Sequence, residues 1–216
     1  MAVIKSISYD QEEIIQNILE LHVPSKRIDL DATYSKGNFY KKGISAPKYK
    51  FDIKPQTEDT TEACATNLPL PDDVDCNCIM FDPPFVMGSG PSVANPKEGS
   101  NQIITRFSCF RNPEQLLAFY NKALSEFYRI LNENGVLIFK CQDCVISGKN
   151  LMSHVIVMNQ AYNIGFYPKD LFILTAKARL ISGKVKNQIH ARKFHSYFWV
   201  FEKRKSKVDY DFLTNI

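Results

Sequence analysis

An apolar run of strand length, Ile79–Phe81, ends abruptly in Asp82-Pro83-Pro84-Phe85. Proline cannot donate to a sheet ladder and pushes the residue before it out of the helical region, so Asp82 is predicted to end a buried strand. In open α/β sheets, ligands bind at the carboxyl ends of the strands. A carboxylate and an aromatic ring on a rigid turn at this edge are therefore candidates to face a substrate. The alternative is an ordinary strand-to-turn junction in which Asp82 caps a helix.

Asp82-Pro83-Pro84-Phe85 resembles the catalytic motif of amino-directed nucleic-acid methyltransferases, which use S-adenosylmethionine to methylate an exocyclic base amine, most often N6 of adenine. The resemblance assigns catalysis to these four residues. An exocyclic amine is a poor nucleophile because its lone pair is delocalised into the ring. A carboxylate and the Pro83 carbonyl, accepting its two N–H bonds, would direct that lone pair toward the methyl group. Phe85 would supply a surface on which an extruded base stacks.

A second candidate segment is the predicted strand Arg27–Ala32 and the turn after it, which contains one glycine. A glycine in such a turn permits close approach of the backbone to a ligand. The segment that begins at Asp31 resembles the cofactor loop of the same family, Asp-x-x-x-Gly-x-Gly, with one glycine missing. The resemblance implies that S-adenosylmethionine is contacted by Asp31, Ala32, Thr33, Tyr34, Lys36 and Gly37.

Two further segments carry candidate cofactor contacts. The predicted strand Tyr49–Ile53 contains Asp52 near its end, where nucleotide-binding α/β folds place a carboxylate that hydrogen-bonds ribose hydroxyls; a solvated aspartate is the alternative. The segment around Asn67 and Leu68 resembles the family's third motif, which borders the adenine ring. Cys64 stands where the family commonly has an acidic residue, and Asn67 is the expected substitute.

These motifs follow one another at intervals that fit successive βα units of a parallel sheet. Helices are predicted over Asp10–Leu21, after Asn112 and over Leu151–Ile164, and later strands at 135–140, 170–176 and 196–201. This order resembles the Rossmann-like α/β fold of class I methyltransferases. The resemblance implies a seven-stranded, mostly parallel sheet with helices on both faces and an antiparallel last strand.

The 216 residues predict a single methyltransferase domain, 1–216, with a long loop at 86–111 and no separate target-recognition domain. Six cysteines without a signal peptide or a long apolar run predict reduced thiols in a cytoplasmic protein with no membrane span. Cys141 and Cys144 have metal-ligand spacing, but a second pair is missing, so no metal site is predicted.

Positive charge is concentrated near the end of the chain. The net charge is +4, yet ten Lys and Arg face one acidic residue between Lys177 and Lys207. Such a stretch suits a phosphate backbone, and a solvated basic hairpin is the alternative. Within it, Gln188–His195 resembles the end of small phage-type and bacterial DNA methylases. The predicted nucleic-acid contacts are Arg106 and Arg111 in the long loop, and His190, Arg192, Lys193 and His195.

The sequence therefore predicts a DNA adenine-N6 methyltransferase. N4-cytosine methylation needs the same geometry, but that subgroup commonly has Ser in place of Asp82. C5-cytosine methylation needs a nucleophilic cysteine, typically after proline, and the chain contains no Pro-Cys pair. An RNA methyltransferase acting on adenine N6 or guanine N2 is the main alternative, and a catalytically silent nucleic-acid-binding subunit is another. Either a specificity subunit or a homodimer remains open as a protein partner.

Overall fold

The computed structural model describes residues 3–85, 110, 112–146, 148–177 and 188–204. Within this part of the chain, eight strands form one sheet in the order β1-β9-β10-β6-β5-β2-β3-β4, and β7 and β8 form a separate hairpin. The strands are β1 (Ile7–Ser8), β2 (Leu30–Asp31), β3 (Tyr49–Asp52), β4 (Thr61–Glu62), β5 (Cys78–Phe81), β6 (Val136–Cys141), β7 (Cys144–Ile146), β8 (Lys149–Leu151), β9 (Phe166–Thr175) and β10 (His195–Lys203).

Three long helices are described: α1 (Gln11–His22), α2 (Pro113–Ile130) and α3 (Ser153–Ile164). Local sequence explains where they begin. The Asp10 carboxylate accepts from the backbone N–H groups of Glu12 and Glu13, and the Asn112 side chain accepts from Gln115 N in the same way. These contacts satisfy N–H groups that the first helical turn leaves without partners.

The sheet separates two apolar cores because successive strand residues point to opposite faces. Ile79 and Phe81 of β5 pack with α2 and α3, whereas Cys78 and Met80 pack with α1. Strand β6 alternates in the same way, and both strands are buried on both faces. The carboxyl ends of β2, β3 and β5 therefore open at one edge between the helix layers.

The predicted architecture is confirmed in its main features. Strands β2, β3, β5 and β6 pair in parallel, and β10 pairs antiparallel with both β6 and β9. The described residues form eight strands in the main sheet where seven were predicted, and the two-residue strands β1 and β4 had no predicted range. A strand of two residues is too short to show the alternation of apolar and polar residues that predicts strands. The first predicted strand was also too long, because only Leu30 and Asp31 pair as β2.

Candidate active site

Asp82 directly follows β5, which ends at Phe81, one residue earlier than predicted. Its backbone N–H donates to Thr33 Oγ1 over 2.8 Å, and its Oδ2 lies 3.2 Å from Lys140 Nζ. Asp82 Oδ1 is buried and has no hydrogen-bond partner among the described residues. A buried carboxylate oxygen without a donor is costly, so this atom is the place in the turn where a donor from outside would be held most strongly.

The turn after Asp82 is anchored by α2. Tyr120, which is fully buried, donates its hydroxyl to the Pro84 carbonyl over 3.1 Å. Pro83 is buried, whereas Pro84 and Phe85 are half-buried. Because the strand holds one end and the helix holds the carbonyl, the carboxylate and the Phe85 ring are kept in a fixed relation.

Asp31, at the end of β2, is a buried carboxyl group with three donors. It accepts from Thr33 N over 2.7 Å, from Thr33 Oγ1 over 3.2 Å and from the Tyr40 hydroxyl over 2.7 Å. Desolvation outweighs these bonds and raises the pKa of Asp31 to about 7. Since Thr33 Oγ1 also accepts from Asp82 N, one hydroxyl joins the loop after β2 to the turn after β5.

The loop after β2 shows what replaces the missing glycine. Ser35 occupies the position of the first glycine in Asp-x-x-x-Gly-x-Gly and has φ +51°, while Gly37 has φ +66°. A Cβ on Gly37 would lie 2.6 Å from the Tyr34 hydroxyl oxygen, so glycine is required there. The Tyr34 ring in turn stacks on Tyr40 at 5.4 Å. The loop thus keeps the left-handed conformation at both positions with only one glycine.

An inner cavity of about 220 Å³ lies beyond this loop, at the ends of β2, β3 and β5. Three predicted cofactor residues, Ala32, Thr33 and Asp52, line it together with Asp82 and Pro84. Its other walls were not predicted as cofactor contacts; they are Ser35, Ile53, Lys54, Gln56, Ala63, Cys64, Ala65, Phe110 and Phe119. Three of these could have been inferred, since Ser35 and Cys64 fill motif positions and Ile53 follows Asp52.

Asp52 organises the rim of the inner cavity. Its Oδ2 accepts from Ser35 N over 2.9 Å, and its Oδ1 accepts from Lys54 N over 2.8 Å. Each carboxylate oxygen has a second lone pair, so Asp52 retains capacity for further donors. Next to it, the Ile53 side chain is half exposed and offers an apolar surface. A carboxylate beside an apolar side chain suits a ribose joined to an aromatic base.

The other predicted cofactor residues lie outside the lining of the inner cavity. Leu68 is buried and donates its N–H to Glu126 Oε1 over 2.7 Å, and Asn67 is exposed. The wall at this place is formed by residues 63–65 instead. Asp31 and Gly37 are buried, and Lys36 is exposed.

An outer groove of about 840 Å³ lies on the other side of Asp82. Phe85 and Lys140 line it, together with residues from the start of α1 and from the ends of β9 and β10: Tyr9, Asp10, Gln11, Glu12, Lys42, Leu174, Thr175, Ala176, Lys177, Phe194, His195 and Ser196. Asp82 lines the inner cavity and bonds Lys140 of the outer groove. The Asp-Pro-Pro-Phe turn therefore stands between the two spaces and presents a side chain to each.

The structure places the predicted nucleic-acid contacts in different parts of the molecule. His195 lines the outer groove, and its Nε2 lies 2.9 Å from the Tyr197 hydroxyl, which donates to buried Asp143. His190 instead bonds the Gly148 carbonyl in the β7–β8 turn over 2.7 Å. Arg192 is exposed and Lys193 is half-buried. Arg106 and Arg111 lie outside the described residues, as do most of loop 86–111 and the segment 178–187 of the basic stretch.

The described part of the chain contains no group of three or more His, Cys, Asp or Glu side chains that could hold a metal ion. Within the same residues, no helix combines the length and apolar composition needed to cross a bilayer.

Solved structures with a similar fold include several methyltransferases. A chain from the complex of the Haloferax volcanii Trm112 methyltransferase activator with its candidate methyltransferase aligns over 89% of each chain, with 14% identity and a TM-score of 0.50. TrmN of Thermus thermophilus aligns over 91% of this chain and 50% of its own, with 14% identity and a TM-score of 0.49. At such identities the likeness concerns the fold, which is that of the class I methyltransferases.

A candidate DNA modification methylase of Thermus thermophilus, solved with S-adenosyl-L-methionine, aligns at 14% identity and a TM-score of 0.38. The match covers 62% of this chain, which spans about half of that methylase, 48% of its length. No curated protein sequence matches the chain. The family model described as DNA methylase, N6_N4_Mtase, matches residues 76–215, well over half of the sequence. That match begins just before β5 and includes the Asp82–Phe85 turn, and the chain accordingly belongs to the N6/N4 DNA methylase family.

Proposed function

We propose that the protein transfers a methyl group from S-adenosylmethionine to N6 of adenine in DNA. The observation that carries this proposal is the place of Asp82 between two spaces, with a buried Oδ1 that has no partner among the described residues. The amine to be methylated supplies the missing donor. Family membership supports amino-methylation, and Asp at position 82 favours adenine over cytosine by resemblance.

The inner cavity is the proposed cofactor site. Asp52 accepts from the ribose hydroxyls, Ile53 and Phe119 supply apolar surface for the adenine, and Ala32 and Thr33 line the wall next to Asp82. Asn67 and Leu68 flank the wall formed by residues 63–65, where Asn67 N–H donates to the Cys64 carbonyl, and Asp31, Tyr34, Lys36 and Gly37 shape the loop. The bound cofactor supplies an electrophilic methyl group. Asp52 and Ser35 fix the loop through a backbone N–H bond before any ligand arrives.

The outer groove is the proposed site of the target nucleotide. Asp82 Oδ1 and the Pro83 carbonyl accept the two N–H bonds of the amine, so its lone pair turns toward the methyl group. Phe85 stacks on the base, which requires the nucleotide to leave the helix stack or to be single-stranded. His195 lies in the same groove, while Arg192 and Lys193 contact the backbone together with Arg106, Arg111 and His190.

A labelled-product assay tests this function. The protein is given S-adenosylmethionine labelled in the methyl group and, separately, duplex DNA, single-stranded DNA and ribosomal RNA. Each nucleic acid is digested to nucleosides, and the labelled nucleoside is identified by mass. Label in N6-methyladenine from DNA is expected. Label in N4-methylcytosine, or only in RNA, would overturn the stated substrate. Tight cofactor binding without any label would indicate a silent subunit or a missing specificity subunit.

A further inference from the structure

Lys140 is a lysine at a position where the strand pattern demands an apolar residue. In β6, Val136, Ile138 and Lys140 point to the α1 side of the sheet, and the first two are buried in the apolar core there. The Lys140 side chain is only 12% exposed. Its Nζ lies 5.2 Å from the ring centre of Phe39 and 5.5 Å from that of Phe198. An ammonium group so placed needs specific partners to offset its desolvation.

The partners of Lys140 come from two other elements. Its Nζ lies 3.2 Å from Asp82 Oδ2 and donates to Gln11 Oε1, at the start of α1, over 2.9 Å. The side chain of Asp82 is 24% exposed. The ammonium therefore engages one carboxylate oxygen and leaves the other, Oδ1, without a partner among the described residues. A carboxylate held at one oxygen by a charged donor cannot rotate freely about its terminal torsion.

We infer that Lys140 is a positioning residue for amine methylation, braced by Gln11, which fixes the Asp82 carboxylate so that Oδ1 receives the target amine. This inference rests on the proposed function. Lys140 touches neither cofactor nor amine in this arrangement and acts through Asp82. Lys140 lines the outer groove, but its ammonium group is held there by Gln11 and Asp82 between two aromatic rings, so the orientation of the carboxylate exists before any substrate binds.

The other titratable groups around Asp82 are acidic or neutral, so they do not hold its carboxylate as Lys140 does. Asp31 of β2 is buried close enough to repel Asp82, and Asp52 of β3 lines the same inner cavity. The Tyr120 hydroxyl of α2 and the Cys141 thiol of β6 face it as neutral groups, and burial raises the pKa of both. Glu12 of α1 lines the outer groove and pairs with Lys42. Among the described residues facing Asp82, Lys140 is the one cation in contact with it.

The kinetic test compares Lys140→Met with Lys140→Arg. Removing the ammonium should lower kcat for methyl transfer roughly 10- to 100-fold, because misplacement of a reacting group has costs of this size. The calorimetric Kd for S-adenosylmethionine should change less than about twofold, since Lys140 does not line the inner cavity, and the KM for nucleic acid should change much less than kcat. Arginine can still donate to Asp82 and should recover most of the lost kcat. Gln11→Leu should lower kcat in the same direction by less.

A matched control is Lys169→Met. Lys169 is also a partly buried lysine paired with a carboxylate, Glu202, at 2.5 Å, but it lies at the opposite end of β9 and β10. It should leave kcat unchanged. The inference is overturned if Lys140→Met retains more than half of the wild-type kcat, if arginine gives no recovery, or if cofactor affinity falls in proportion to kcat.

A second measurement needs no catalysis and separates this inference from the proposed function. Urea midpoints are compared for Lys140→Met, Asp82→Asn and the double variant. If the pair exists in the free protein, Lys140→Met should lower the midpoint far less in the Asp82→Asn background than in the wild type. Additive shifts would overturn the pairing. Coupled shifts in a protein that methylates no nucleic acid would leave the pair in place and refute the proposed function instead.

Discussion

Asp82 and Asp52 are two carboxylates of one cavity with different partners. Asp52 is held by two backbone N–H groups, whereas Asp82 is held by Lys140 at one oxygen and is open at the other. This difference assigns them separate tasks in the proposed reaction. Asp52 of β3 holds the loop that shapes the inner cavity, and Asp82 keeps one buried oxygen without a partner among the described residues.

Replacing each of these two aspartates with alanine should affect a different quantity, either methyl transfer or cofactor affinity. Asp82→Ala should abolish methyl transfer and leave the Kd for S-adenosylmethionine nearly unchanged. Asp52→Ala should weaken cofactor binding by about 1.5–3 kcal/mol, the usual value of hydrogen bonds to a charged group. Calorimetry and the labelled-product assay measure both quantities. An Asp82→Ala variant with more than a few per cent of wild-type turnover would refute the role of Asp82.

Asp31 makes stability depend on pH. Because burial raises its pKa from 3.8 to about 7, the folded protein retains a proton that the unfolded chain releases above about pH 4. Stabilisation is therefore complete below pH 4 and is lost as pH rises through 7. Over that window, the free energy of unfolding should fall by up to about 4 kcal/mol relative to Asp31→Asn. Urea unfolding at pH 4, 5.5, 7 and 8 measures the difference.

Asp10→Asn is the control for this pH dependence. Its side-chain contacts with Lys42 and Glu12 lower the pKa of the exposed Asp10 carboxyl to about 2, so its contribution is present above pH 4 and is lost only on further acidification. Between pH 4 and 8, Asp10→Asn should run parallel to the wild type. Parallel curves for Asp31→Asn over the same range would contradict the assignment of Asp31.

At the scale of elements, the loop after β2 carries backbone strain at a non-glycine residue. Ser35 has φ +51°, a conformation that costs an L-residue about 1–2 kcal/mol and costs glycine little. Glycine loses more conformational entropy on folding than serine, and this cost offsets part of the relieved strain. Ser35→Gly should therefore stabilise the protein by roughly 0.5–1 kcal/mol. Urea unfolding measures this gain.

Ser35→Ala distinguishes backbone strain from the loss of the hydroxyl. Alanine keeps the Cβ and therefore the strain, so this variant should be no more stable than the wild type. The Ser35 N–H bond to Asp52 Oδ2 is retained in both variants. If Ser35→Gly were no more stable than Ser35→Ala, the left-handed conformation at this position would not be the source of the cost.

At the scale of the whole molecule, charge is distributed unevenly around the outer groove. The start of α1 brings Asp10 and Glu12, which Lys42 pairs at 2.7 and 3.5 Å, and the opposite side brings Lys177 from the described part of the basic stretch, with His195 at the start of β10. Lys42 thus offsets one of these two negative charges locally. Positive charge on the β10 side is then free to attract a phosphate backbone toward Phe85.

Neutralising Arg192 and Lys193 should weaken this attraction. If each contacts one phosphate, Arg192→Gln with Lys193→Gln should reduce the slope of log K against log salt concentration by about 2 for duplex DNA. Fluorescence anisotropy over about 50 to 300 mM salt measures the slope. Lys122→Gln, on an exposed position of α2, should leave it unchanged. An unaltered slope in the double variant would place the phosphate contacts elsewhere.

Much of the sheet was predictable because its signals are local. The signals lie next to the features they predict. Two prolines follow the strand that ends before Asp82, Asn112 caps the helix that begins at Pro113, and Gly165 follows the helix that ends at Ile164. The end of β5 next to Asp82 was also predictable, since proline acts on its immediate neighbours. The two-residue strands β1 and β4 exist only through their pairing partners, and no local pattern encodes them.

The sequence by itself determined the α/β class, the order of the motifs and the position of Asp82 at a strand end, because periodicity and proline chemistry depend on neighbouring residues. Only the tertiary structure decided which side chains meet across the sheet edge. The Asp82 contacts with Lys140 and Thr33 join residues 58 and 49 positions apart, and the cavity wall at 63–65 replaces Asn67 and Leu68. Such long-range contacts depend on the order and register of the strands in the sheet, which arise from the packing of the whole chain.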